Sequence, residues 1–181
     1  MQAQTNVPAL RDLTDISFID ENGQLPEQYQ GKIGVYAIFD AEKVLQFVGY
    51  SRNIFISLKQ CLVRQPQKCY WLKAETIERP SRSILENIEK AWIEENGSIP
   101  LGNGDEKPKW TQPIDAKLQI TPEEQANYEN PANDEIAKVK ILKSVARRVE
   151  AEILQVLEAR GLKMQVRFNP KLKEEGLLDL K

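Results

Sequence analysis

Histidine is absent from all 181 positions. That absence excludes Ser-His and Cys-His nucleophilic pairs, imidazole proton shuttles, and zinc or haem held by histidine. Cysteine is nearly absent: Cys61 and Cys69 are the two. They stand in no CxxC spacing, which excludes a four-cysteine zinc site and a secreted disulfide framework. No apolar run approaches the ~20 residues that cross a bilayer. Met1 to Asp20 carries Asp12, Asp15 and Asp20 with no basic segment leading into an apolar one, so no signal peptide is expected. An excess of basic residues is also missing. Lys and Arg number 25 against 27 Asp and Glu, a net charge of −2, which excludes a globally basic nucleic-acid binder but leaves room for a local basic face. No Gly-rich phosphate loop, acidic calcium loop or paired-carboxylate motif occurs, so nucleotide-dependent and EF-hand functions drop out. The expectation is a cytoplasmic protein with no membrane insertion and no organic cofactor.

What is present is enough apolar sequence for a buried core, 41% of residues, with 29% charged. Composition separates an acidic N-terminal extension, 1–31, from a mildly basic middle zone, 32–103. A loop-rich connection, 104–132, follows, with Pro108, Pro113, Pro122 and Pro131. Residues 133–181 form a C-terminal helix and strand element.

The middle zone has the clearest pattern. Val35 to Phe39 and Val44 to Tyr50 are β-rich runs around a four-residue polar gap, which predicts a hairpin. Ile54, Phe55, Leu58 and Leu62 then share one helical face, with Ser51 or Asn53 as N-cap. Cys69 to Ala74 reads as a third strand. Ser81 opens a helix through Ile84, Leu85, Ile88, Ala91 and Trp92, closed by Asn96-Gly97. Thr121-Pro122-Glu123-Glu124 resembles a short helix start. Asn133 is expected to cap a long helix through Arg160 whose apolar members are Ile136, Val139, Leu142, Val145, Val149, Ile153, Val156 and Leu157, with Gly161 as its stop. Met164, Val166 and Phe168 alternate with polar residues and suggest a final strand. This helix and strand are expected to bury their apolar face on the middle zone.

Gly34-Val35-Tyr36, ten residues before Phe47-Val48-Gly49, resembles the paired motifs of the GIY-YIG nuclease superfamily. Ile88-Glu89-Lys90-Ala91-Trp92 is similar to the helix that carries the family's metal-binding glutamate, and Pro100-Leu101-Gly102-Asn103 to the segment closing its domain. The block from Trp92 to Asn103 looks like the cyanobacterial and plastid members. The resemblance covers residues 32–103. It implies an α+β fold, a small three-stranded antiparallel sheet flanked by helices, here with the added C-terminal helix–strand element. It also implies phosphodiester hydrolysis with Mg2+ or Mn2+. Tyr36 would help activate water, Glu89 would hold the cation, and a helix arginine would stabilise the phosphate. Glu86, one turn earlier, is the alternative metal ligand.

Departures bear on that chemistry. Phe47 replaces the second motif's tyrosine, Ser57 stands at the arginine position, and Cys61 stands where many members carry histidine. Losing one preorganised charge donor costs ~10²–10³ in rate. Arg52 is the chosen substitute cation, ahead of Lys59 and Arg64. Tyr36 also reads as a core aromatic, Glu89 as a solvated helix residue, and the cysteines as small buried apolar groups. Lys138, Lys140, Lys143, Arg147 and Arg148 stand in a stretch with no acid from Ala137 to Val149. Lys140, Lys143 and Arg147 share a face that could lie on nucleic-acid phosphates or simply face solvent. The expected function is therefore a catalytically degenerate module of that superfamily binding a protein or nucleic acid; the alternative is an active metal-dependent endonuclease using Tyr36, Arg52 and Glu89.

Overall fold

The computed structural model describes residues 7–181, so Met1 to Asn6 of the acidic extension lie outside the described residues. Two compact units are present. The first reaches to Thr111 and includes Gly161–Lys163; the second comprises Gln112–Arg160 and Met164–Lys181.

The first unit is built on an antiparallel sheet. Strands β1 (Ile16–Ser17), β2 (Ile33–Phe39), β3 (Leu45–Ser51) and β4 (Trp71–Ile77) lie in the order β1-β4-β2-β3. The sheet is thus four-stranded rather than three-stranded. The added strand pairs two residues, Ile16 with Leu72 and Ser17 with Trp71, too few to leave a periodic signal. The hairpin forms as its apolar runs predict, with Tyr36 opposite Gly49 and Ala37 opposite Val48.

Alternation along β2 sends neighbouring side chains to opposite faces. Val35, Ala37 and Phe39 join Val48 in a core with Leu85, Ile88 and Trp92 of α2 (Arg82–Asn96). Ser81 caps that helix by accepting from the Ile84 amide, and Gly97 ends it in the left-handed conformation at φ 82°. Tyr36 turns to the other face, under α1 (Ile54–Arg64), whose N-cap is Asn53. Gly34 lets β4 and α1 close in: a Cβ there would stand 2.1 Å from the Glu75 carbonyl and 2.9 Å from Ile54 Cδ1.

The segment before β1 is strapped across α2. Glu95 accepts from the backbone amides of Leu10 at 2.9 Å and Arg11 at 3.0 Å, and the Trp92 indole donates to the Pro8 carbonyl at 3.0 Å. A short helix, α3 (Lys107–Thr111), follows α2 and buries Trp110.

In the second unit, α4 (Pro122–Glu129) starts with a full capping box: Thr121 accepts from the Glu124 amide, and the Glu124 carboxylate accepts from the Thr121 amide. The long helix α5 (Glu135–Ala159) is capped by Asp134, one residue later than expected. It buries Val145, Ala146, Val149 and Leu157, and within its unit it packs against α4, the turn Ala116–Gln119, α6 (Pro170–Lys173) and the strand β6 (Leu177–Leu178). β6 pairs with β5 (Ile114–Asp115). The strand expected at Met164 to Phe168 is not formed. Phe168 makes one isolated bridge to Leu180, and among the described residues no strand pairs with Met164 or Val166. An alternating pattern without a partner backbone makes no ladder. The fold class is α+β with small antiparallel sheets.

Candidate functional site

The hairpin face under α1 brings together the most chemistry-bearing side chains of the first unit. Tyr36 is 5% exposed, and its ring lies over Gly49, where a Cβ would stand 2.7 Å from the Tyr36 hydroxyl. Its ring centroid is 6.1 Å from that of Phe47, which stacks on Trp110 at 5.2 Å. Above this aromatic row stand Ser57, Cys61 and Arg64 of α1. Arg64 also donates through Nη1 to the Trp110 carbonyl at 2.9 Å, tying α1 to α3.

Burial makes this cluster harder to ionise. Burial, followed by the Cys61 thiol, pushes the Tyr36 hydroxyl well above its ordinary range against the pull of Ser57 and Arg64. Burial pushes the Cys61 thiol up to about 12, although Arg64 and the Tyr36 hydroxyl act to lower it. A nucleophilic thiol needs a depressed pKa and access to its target; Cys61 has neither. Cys69 is also buried, its sulfur 3.5 Å from the Cys61 carbonyl.

The remaining expected site residues lie elsewhere. Arg52 is exposed in the turn between β3 and α1. The cation acting on Tyr36 is Arg64, which returns to the same helix face two turns beyond Ser57. Glu89 is half-buried on α2; burial raises its pKa, Lys107 opposes that rise and Glu86 adds to it. Glu86 accepts from Arg82 at 2.7 Å and from the Tyr50 hydroxyl at 3.2 Å. The groups acting on Tyr36 and those acting on Glu89 have no member in common. Among the described residues, no group of three or more Cys, Asp or Glu side chains is disposed to hold a metal ion. Glu86 and Glu89 stand three residues apart on α2, and Mg2+ can be held by one or two carboxylates with waters.

In the second unit, the five cations of α5 divide. Arg148 is held by Glu124, Glu152 and the Gln119 carbonyl. Lys138 lies 3.9 Å from Glu135 and over the Tyr128 ring. Lys143 lies 4.0 Å from Glu174. Lys140 and Arg147 are exposed. No helix among the described residues is long and apolar enough to cross a membrane.

Comparison with known proteins revises the family reading. No family model matches the chain. The chain is 42% identical over 74 residues to the bifunctional monothiol glutaredoxin-S16, chloroplastic, of Arabidopsis thaliana. The match covers 39% of this chain and 25% of that protein, so the chain spans about a quarter of the length of the curated relative it matches. That relative is named as a glutaredoxin. The GIY-YIG resemblance is corrected accordingly, and the nuclease and endonuclease functions drawn from it, degenerate or active, are withdrawn.

Proposed function

We propose that this chain serves a redox-related, monothiol-glutaredoxin setting as an accessory unit rather than as the thiol catalyst. The observation that carries this reading is the state of its thiols: both are buried, and Cys61 is pushed up to about 12. A thiol in that state attacks a disulfide only after the surrounding structure opens. The relative's name supports the redox setting; it is called bifunctional, and the similarity occupies a quarter of it. A chain resembling one part of such a protein and lacking a reactive thiol of its own fits the part that does not exchange disulfides. The relative's designation as chloroplastic favours a plastid-type compartment over the general cytoplasm.

The experiment is a glutathione-coupled reduction of hydroxyethyl disulfide by the full chain, run beside size-exclusion of the chain mixed with a monothiol glutaredoxin. The expected result is no turnover above the protein-free rate, with co-elution of the two proteins. Turnover that disappears in Cys61→Ser or Cys69→Ser would make the chain itself the thiol catalyst. Absence of co-elution would remove the accessory role.

A further inference from the structure

The outward side of α5 carries an arrangement that its packing does not use. Residues on a helix advance about 100° each. Ile136, nine positions before the buried Val145, therefore faces away from the core, contrary to the expectation that it lies in the apolar stripe. It is 69% exposed and Val139 is 38% exposed. Scattered exposed apolar residues need no explanation, but these two share their side of the helix with Lys140, Lys143 and Arg147. Lys140 and Arg147 make no ion pair among the described residues, and Lys143 reaches Glu174 at 4.0 Å. Ile136 to Arg147 spans about 16 Å, three helical turns.

We infer that this side of α5 docks an acidic amphipathic helical segment of another protein. Carboxylates three and four residues apart along such a segment match the spacing of Lys140, Lys143 and Arg147. Its apolar edge would cover Ile136 and Val139. A nucleic-acid backbone would answer the cations but leave both apolar side chains against hydrated phosphate and sugar, so the mixed chemistry favours a protein segment. Cys61 and Cys69 belong to the first unit and α5 to the second, and peptide binding is read without any thiol chemistry, so its test and the test of the redox reading fail independently.

The test is fluorescence anisotropy of the full chain with a labelled synthetic helix of about 16 residues carrying Glu on one side and Leu on the adjoining side. Saturable binding is expected, weakening about tenfold as salt rises from about 50 to about 300 mM. Lys140→Glu with Arg147→Glu, and separately Ile136→Ser, should each weaken binding by about tenfold or more. Arg79→Glu, an exposed charge reversal in the other unit, should leave it unchanged. Circular dichroism verifies that each variant keeps its helix. Failure of the wild-type chain to bind, or equal binding by the α5 variants, overturns the inference. So does tighter binding to a labelled oligonucleotide or to anionic phospholipid vesicles than to the peptide.

Discussion

Asn103 makes with Val48 the two hydrogen bonds that a neighbouring strand would make. Its side-chain oxygen accepts from the Val48 amide at 2.8 Å, and its side-chain nitrogen donates to the Val48 carbonyl at 2.7 Å. β3 is the end of the sheet, and an open end is a template for unwanted pairing. One amide side chain closes it while anchoring the segment that leads to Trp110. Asn103→Ala strands both backbone groups of the buried Val48 and should cost about 2–3 kcal/mol, read as a lower urea midpoint with an unchanged slope. Asn103→Asp should cost at least as much, because it keeps the acceptor but sets a carboxylate oxygen against the Val48 carbonyl.

The buried thiol and phenol make alkaline stability a second test. Cys61 ionises at about 12 in the folded protein against 9.0 ordinarily, and Tyr36 is raised as well. An acid whose folded pKa is raised gives up its proton more readily when unfolded. The folded state is thus unpenalised below pH 9.0 and loses stability as pH rises from there towards 12. Cys61→Ala should flatten that loss, at the expense of a small cavity at neutral pH. In native protein at pH 8, a disulfide reagent should label neither cysteine at the rate seen in denaturant. Rapid native labelling of Cys61 would contradict the burial on which the proposed function rests.

Gly49 gives a third prediction. A methyl group there would stand 2.7 Å from both Phe47 Cε1 and the Tyr36 hydroxyl. Tyr36 cannot retreat without disturbing its contacts with α1. Gly49→Ala should therefore cost about 1–3 kcal/mol, as other overpacked cores do, with a changed near-ultraviolet circular dichroism spectrum.

These residues show how far the sequence could be read. The hairpin, α1, β4 and α2 were legible because each runs for seven or more residues, long enough for apolar, β-rich runs to mark the strands and for a 3.6-residue apolar face to mark the helices. β1, β5, β6 and α3 were not, because two to five residues carry no period; their formation depends on partners distant in sequence. On α5 a run of apolar residues was legible, but its register was not. Ile136 and Val139 fit three-residue steps while falling progressively off the buried stripe. Of the site residues, Tyr36 and Cys61 were visible as positions, but their added resistance to ionisation follows from packing. Arg64 acts on the Tyr36 hydroxyl because the helix returns it to the Tyr36 face. The family reading rested on short motifs whose order fits a hairpin, and hairpin order alone does not carry a function.

Glu89 yields a pH-dependent prediction of opposite sense to an ordinary ion pair. Its folded pKa is raised from 4.5, chiefly by burial, so the ionised carboxylate costs stability above that value and nothing well below it. Glu89→Gln should stabilise the protein at pH 7 by less than about 1 kcal/mol, since the side chain is half exposed, and the gain should vanish near pH 3. Paired thermal melts at the two pH values check it; a destabilised variant at pH 7 would mean the carboxylate is held by a favourable partner.

Arg148 is the joint of the second unit. Its guanidinium donates to both Glu124 oxygens, at 2.7 and 3.1 Å, to Glu152 at 3.0 Å and to the Gln119 carbonyl at 2.6 Å. Glu124 is already committed to the Thr121 capping box, so one arginine links α5 to the start of α4 and to the turn before it. The Glu124 pKa is lowered, first by its bond to Arg148. That stabilisation is present above the ordinary carboxylate value of 4.5 and is lost as pH falls through the lowered one. The groups are partly exposed, so Arg148→Ala should cost about 1 kcal/mol at pH 7, with the difference from wild type shrinking as the pH is taken well below 4.5. Amide hydrogen exchange localises the effect: α4 and the Ala116–Gln119 turn should lose protection in the variant while β2 and β3 keep theirs. Loss of protection across the hairpin as well would show that the two units unfold together.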